Sequence, residues 1–192
     1  MLLDTDLITL CDIPDDLTSD LIAELHKLDW NSEEFSRPEN ALKTARVVEL
    51  PFMERGVNNT SVTHRYLYDL AKGMLQVVQS YYPGCVFLRG EIAALRPGMA
   101  ATLHRDRRWF HEHSHRLHVP LITNDKCKNI FVDKEYHLNV GTLYEINNRV
   151  PHGAYNKGTE TRVHCIIDMM PAEYINKMIL ESINRNTYTC EP

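Results

Sequence analysis

The sequence predicts a mostly β domain with flanking helices, built around a jelly-roll-like core. Three observations lead there. Five short apolar or alternating segments follow one another between 85 and 171; turn residues separate them at short intervals; and helical periodicity is confined to the chain before and after them. Strands at such spacing form an antiparallel sandwich or barrel.

Taken in order, "DDLTSDLIAELHKLDW" (15–30) places Leu17, Leu21, Leu25 and Leu28 on one helical face with Ile22 beside them, and acidic and hydroxyl residues at its start offer N-caps. "RVVELPF" (46–52) is a short strand candidate. A second helix runs through Val62, Tyr66, Leu70, Met74 and Val77 and stops at Pro83-Gly84. From Cys85 the period changes to that of strands: "CVFLRGEIAAL", "SHRLHVPLITN", "NIFVDKEYHL", "GTLYEINN" and "TRVHCIIDMM", with turns at Pro97-Gly98, Asn124-Asp125, Asn139–Gly141 and Lys157-Gly158. A last helix starts after Pro171 and runs through Ile175, Met178, Ile179 and Ile183. At 192 residues, without repeat or linker, the chain reads as one domain: a helix-rich part (1–84), a β core (85–171), and a C-terminal helix with its tail (172–192).

Composition narrows the function. A net charge of −5 argues against a general nucleic-acid binder, which needs clustered excess Lys and Arg. Five scattered cysteines include no C-x-x-C pair, so neither a thiolate zinc site nor a disulfide framework is indicated, and free thiols suit a reducing cytoplasm. The N-terminus lacks the basic lead of a signal peptide, and no apolar run reaches the roughly twenty residues of a membrane span.

The chemistry concentrates in "LHRDRRWFHEHSHRLHVPL" (103–121), which holds five of the ten histidines. In an extended segment, residues two apart project from one face, so His104 and Asp106 can grip one metal ion together. Alone, this pattern far more often describes a surface pair. A third ligand is available downstream in "VPHGAY", where His152 heads a strand-like stretch. Two imidazoles and one carboxylate make the facial triad of non-haem Fe(II) oxygenases, which leaves open positions for co-substrate and dioxygen. Ten residues after His152, Arg162 lies on the face of its strand opposite Val163, Cys165, Ile167 and Met169. A guanidinium beside a metal pocket calls for an anion such as a carboxylate. 2-Oxoglutarate, which chelates iron at one end and carries a carboxylate at the other, would satisfy it; pairing with Asp168 is the alternative. In "HRLHVPL", Leu117, Val119 and Leu121 alternate with Arg116 and His118, so the first three enter the core and the other two face the cavity.

"RPGMAATLHRD", "RLHVPLITN", "LYEINNRVPHGAYN" and "RVHCIIDMMP" together resemble the aspartyl/asparaginyl β-hydroxylase family of Fe(II)/2-oxoglutarate-dependent oxygenases, over roughly 85–171. The resemblance implies a double-stranded β-helix fold. It implies His104 and His152 as iron ligands, Arg162 as partner of a 2-oxoglutarate carboxylate, and Arg116 and His118 as further co-substrate ligands. The family's type member has glycine at the position of Asp106; the complete H-x-D is more similar to bacterial members, including hydroxylases of free proline. The expected reaction is hydroxylation of an unactivated C–H bond in an amino acid, or in an Asp/Asn-type residue of a peptide, with release of succinate and carbon dioxide. Two alternatives stay open: a cupin-like metal enzyme that does not use 2-oxoglutarate, and a non-catalytic sandwich that binds a ligand. Arg107, Arg108, Trp109, His111, His113 and His115 fall in a segment expected at the pocket mouth, where a substrate, small molecule or peptide, would meet them through a carboxylate handle. The period-two histidines 111, 113 and 115 lack partner carboxylates for a second metal site. His164, on the face of Arg162, is expected to be a structural histidine.

Overall fold

The computed structural model describes residues 3–36, 45–50, 62–107 and 109–177. Its elements in chain order are β1 (Leu7–Asp12), α1 (Ser19–Leu25), β2 (Ala45–Glu49), α2 (Val62–Tyr81), β3 (Cys85–Leu95), β4 (Ala100–His104), β5 (His115–Ile122), β6 (Cys127–Phe131), β7 (Lys134–Tyr136), β8 (Thr142–Ile146), β9 (His152–Asn156) and β10 (Arg162–Pro171), followed by a helix over 172–177. Two antiparallel sheets result: a large one in the order β1-β8-β5-β10-β3-β2 and a small one in the order β4-β9-β6-β7. This is the jelly-roll arrangement expected from the strand spacing.

The main apolar core lies between the large sheet and the N-terminal helices. Val163, Cys165, Ile167 and Met169 of β10 and Leu117, Val119 and Leu121 of β5 pack there with Leu21 and Leu25 of α1 and Leu67, Ala71 and Met74 of α2. The opposite face of the same strands is also buried, yet it is polar: Arg162, His164 and Asp168 are each at most 5% exposed. Polar groups are buried at such a cost only where they find partners. That face looks toward the small sheet, with which a second apolar cluster of Phe131, Leu138, Tyr144 and Ile146 closes one side. The interior between the sheets is therefore split into an apolar seal and a polar cavity.

The first 84 residues are less purely helical than their periodicity indicates, because β1 and β2 form the two edges of the large sheet. β1 is held by Leu7↔Ile146 through Asp12↔Thr142 against β8, and β2 by Ala45↔Leu95 through Glu49↔Glu91 against β3. The helix expected over 15–30 is shorter. A 3-10 turn at Asp15–Leu17 precedes the two turns of α1, and the Trp30 indole donates to the Leu25 carbonyl at 3.3 Å, taking one of the acceptors a helix end leaves open. In α2 the core stripe is Leu67, Ala71, Met74, Leu75 and Val78, rotated from the expected one; Tyr66 is half exposed. "NIFVDKEYHL" is a hairpin of β6 and β7 rather than one strand, turning at Val132 with φ 56°. The Val132 amide donates to the Pro151 carbonyl at 2.7 Å, which fixes the chain just ahead of His152. Met178, Ile179, Ile183, Cys190 and Arg108 lie outside the described residues. Among the described residues, no helix is long and apolar enough to cross a membrane.

Candidate active site

β4 and β9 pair so that His104 stands directly across from His152, with ring centroids 4.5 Å apart. Such close approach depends on Gly153: a Cβ there would meet the Ala101 carbonyl oxygen at 2.7 Å and the Leu103 nitrogen at 3.3 Å. Asp106 follows two residues past the end of β4. Its backbone N–H donates to the Asn148 carbonyl at 3.1 Å, and the Asn148 amide reaches its Oδ2 at 3.4 Å, so the loop before β9 ties it down. The ligand atoms of His104, Asp106 and His152 lie within 4.8 Å of one another, and they are the only such His/Cys/Asp/Glu group among the described residues.

These residues fit a metal ion by their own hydrogen bonding. The His104 Nδ1 lies 2.7 Å from the Thr102 carbonyl and the His152 Nδ1 lies 3.0 Å from the Val150 carbonyl. A carbonyl only accepts, so both Nδ1 atoms carry the proton and both Nε2 atoms present a lone pair. Those lone pairs face the Asp106 carboxylate at 3.7 and 3.9 Å, too far for hydrogen bonds. Outer partners of this kind set the tautomer and orientation of metal-binding imidazoles. Burial keeps His152 neutral, pushing its pKa down to about 4. Burial is the largest single influence and by itself would raise the Asp106 pKa, but the Arg116 guanidinium and the nearby histidines together outweigh it and hold the carboxyl at about 2.

Arg116 and His118 face the cavity from β5, as the alternation requires. Arg116 forms an ion pair through Nε with the Asp106 Oδ2 at 3.1 Å and donates from a terminal nitrogen to both oxygens of Asp168 at 2.9 Å. Burial opposes its charge, yet Asp168 and Asp106 together raise its pKa. The expected co-substrate ligand is thus engaged by two carboxylates of the protein, one of them in the triad.

Arg162 stands at the opposite end of β10's polar face, six residues and about 20 Å of strand from Asp168. One of its terminal nitrogens donates to the Asn129 Oδ1 at 2.7 Å and lies 2.9 Å from the His164 Nδ1. Among the described residues no carboxylate pairs with it, so the alternative pairing with Asp168 does not occur; Asp168 belongs to Arg116. Burial lowers the Arg162 pKa to about 10. The Nε of Arg162 and the Nε2 atoms of His118 and His164 are buried without a hydrogen-bond partner. Of these, the nitrogens of Arg162 and His118 belong to side chains on the cavity wall, and together they fit a carboxylate that the described residues do not supply. The triad, His118 and Arg162 all line one cavity of about 370 Å³, within the usual size of small-molecule sites.

The comparisons with known proteins agree with this geometry. The family model for aspartyl/asparaginyl β-hydroxylases matches residues 21–171. The chain belongs to that family. It is an enzyme of the Fe(II)/2-oxoglutarate-dependent oxygenases, with the double-stranded β-helix fold and the iron and 2-oxoglutarate requirement typical of them. Among solved structures it is similar to a 2-oxoglutarate-Fe(II) oxygenase family protein of Burkholderia pseudomallei (10% identity, TM-score 0.55, covering 88% of this chain and 85% of that one). It also resembles a Pseudomonas putida prolyl-4-hydroxylase (16%, TM-score 0.54, 87% and 93%) and HygX from Streptomyces hygroscopicus with nickel, 2-oxoglutarate and hygromycin B bound (14%, TM-score 0.57, 87% and 83%). At these identities the likeness concerns the fold. No curated protein matches the chain.

In this hydroxylase-family cavity, the residues expected at the mouth separate. Arg105, Arg107 and His111 line it, Arg105 and Arg107 exposed and His111 buried in a 3-10 turn over Trp109–Glu112. His113 points away and stacks on Tyr174 at 4.6 Å. His115 sits on the helix side, 2.7 Å from Glu145, which also accepts from Tyr82 at 2.8 Å. The three histidines therefore do not converge on a second metal. Sequence reasoning missed Asn129, Asn148 and the cavity-lining pair of Arg89 and Glu91 on β3. Asp168 was legible from the alternation of β10 as a residue of its polar face, but its partner was not.

Proposed function

We propose that this oxygenase hydroxylates an unactivated C–H bond of an amino acid, or of an Asp/Asn-type residue in a peptide. The observation that carries this reading is the sharing of one cavity by the triad and by a buried guanidinium that has no carboxylate partner among the described residues. In the proposed assignment His104, Asp106 and His152 hold Fe(II), while Arg162 and His118 take the distal carboxylate of 2-oxoglutarate. Bound Fe(II) and 2-oxoglutarate supply the oxidation: dioxygen is reduced, 2-oxoglutarate loses carbon dioxide to become succinate, and one oxygen atom enters the substrate.

The protein's own part is positioning. The Thr102 and Val150 carbonyls aim the two imidazoles, and Arg116 with Asn148 fixes the Asp106 carboxylate between them. Phe131 and Ile146 seal the wall nearest His152, where Phe131 stacks on its ring at 6.2 Å, and so keep bulk water from that side. Arg105 and Arg107 at the mouth support a substrate with a carboxylate handle. Free thiols at Cys11, Cys85, Cys127 and Cys165 support a reducing compartment, and we place the enzyme in the cytoplasm.

The test is an anaerobic titration with Fe(II) and 2-oxoglutarate, in which a weak metal-to-ligand charge-transfer band should need both additions. A screen of free amino acids and peptides, read as stimulated succinate formation, then identifies the substrate. Well-folded protein that gives neither the band nor succinate overturns the proposal. The same titration with Arg162→Ala separates it from a metal enzyme that ignores 2-oxoglutarate, because the band should then be lost at 2-oxoglutarate concentrations that saturate the native protein.

A further inference from the structure

Two arginines are buried on the polar face of the large sheet, and they are treated in opposite ways. Arg116 is neutralised: Asp168 and Asp106 both lie within 3.1 Å of its guanidinium. Arg162 is held as firmly, but among the described residues only by neutral groups, the Asn129 amide oxygen from β6 of the small sheet and the His164 ring from its own strand. Both contacts converge on a single terminal nitrogen, at 2.7 and 2.9 Å, so its two hydrogens are both engaged and the guanidinium plane is set from two sides.

The direction of the second bond is fixed by chemistry. Arginine has donors and no acceptor, so the His164 Nδ1 must accept, and the proton of a neutral ring sits on Nε2. Burial, with Arg162 and His118 nearby, keeps this imidazole neutral by holding its pKa well below the usual range. His164 is fully buried, and its ring meets that of His118 edge-on at 5.7 Å. A carboxylate at this position would orient Arg162 equally well, but it would cancel the charge that an incoming carboxylate needs. A neutral acceptor orients the guanidinium and leaves its charge available.

We propose that His164 is a positioning residue of the co-substrate pocket, presenting the Arg162 guanidinium in a fixed plane with its positive charge uncompensated. The proposal rests on the reading of Arg162 as the anchor of a 2-oxoglutarate carboxylate. It assigns to His164 a role that its place on a buried strand face would otherwise leave to packing.

The experiment uses the full chain loaded with Mn(II), and measures by calorimetry the binding of Mn(II), of 2-oxoglutarate and of 2-oxovalerate, which keeps the chelating keto acid but lacks the distal carboxylate. Three variants are compared. His164→Asn places an amide oxygen near the position of Nδ1 and should bind 2-oxoglutarate within about threefold of native. His164→Leu removes the acceptor and should bind it at least tenfold more weakly. His164→Asp, nearly the same shape as the Asn variant, pairs with Arg162 and should also lose at least tenfold. Mn(II) and 2-oxovalerate binding should stay near native in all three. If native protein binds Mn(II) but discriminates against 2-oxovalerate not at all, the anchor reading of Arg162 fails. If native protein discriminates and the Asn and Asp variants bind 2-oxoglutarate alike, the role of His164 fails. Equal weakening of both keto acids in His164→Leu would also overturn it, since a merely structural loss does not depend on the distal carboxylate.

Discussion

The Arg116 guanidinium forms an ion pair with the Asp106 carboxylate at 3.1 Å, and the same guanidinium is clamped by Asp168 from the neighbouring strand. A triad carboxylate is thus braced by a buried charge that has its own buried counter-charge. Replacing Arg116 by Met should leave Asp106 and Asp168 without compensation and cost about 3–5 kcal/mol of stability. Arg116→Lys supplies the charge without the planar fork and cannot bond both acids at once, so it should fold but bind Mn(II) about 10- to 100-fold more weakly. Urea unfolding and metal titration measure the two effects. Native metal affinity in Arg116→Lys would show that Asp106 needs no such brace.

The pairing of His104 with His152 makes a second, steric demand. At Gly153 any side chain meets backbone atoms of β4, which cannot rotate out of the way. Gly153→Ala should therefore wedge β9 from β4, with a stability loss of about 1–3 kcal/mol, as for overpacked cores. Because His152 is the next residue, metal affinity should fall as well, by tenfold or more. A crystal structure of the variant with unchanged strand spacing and full metal binding would contradict this account.

Metal binding should also be visible as stability, since the three ligands come together only in the folded chain. At a free Mn(II) concentration one hundred times its dissociation constant, folding should gain about 2.7 kcal/mol, and a chelator should reverse the gain. 2-Oxoglutarate should add a further increment in native protein and little in Arg162→Ala. A thermal-melt series with and without each ligand decides it.

Why the site was more legible than the frame follows from strand geometry. On β5 and β10 the apolar runs Leu117–Val119–Leu121 and Val163–Cys165–Ile167–Met169 mark one face, so a period of two assigns Arg116, His118 and Arg162 to the cavity side and Asp168 to the same polar face, as it puts His104 and Asp106 side by side at the end of β4. What alternation cannot assign is partnership. That Arg116 would meet Asp168 depends on the register of β5 against β10, and that Arg162 would meet Asn129 depends on how the small sheet faces the large one. β1 was missed because "LITLCD" pairs at a sheet edge with no residue fully buried, so it lacks the burial contrast that marks a strand. The face of α2 was displaced because Tyr66, apolar enough to fit the stripe, keeps its ring at the surface while Leu67 and Ala71 turn inward.

The buried histidines make a prediction about acid. Burial lowers the pKa values of His118 and His164 well below 6.5, and that of His152 to about 4, so each is neutral in the folded protein where the unfolded chain would take up a proton. With more protons bound in the unfolded state, stability rises with pH; it is fully present above about 6.5 and is lost as pH falls below it. Between pH 6.5 and 5 the loss should be about 2 kcal/mol for His152, from 1.36 kcal/mol per pH unit, with His118 and His164 adding to it in the same direction. Asp106 acts only further down, since its folded carboxyl titrates near 2 against 3.8 in its ordinary state, and its share persists until the pH drops below the latter. Urea unfolding of the metal-free protein at pH 7, 6 and 5 should trace this slope, and His164→Asn should flatten it by removing one of the rings that contribute to it. Stability that is level from pH 7 to 5 would mean that the rings are not held neutral, and the tautomers assigned to His164 and His152 would fall with it.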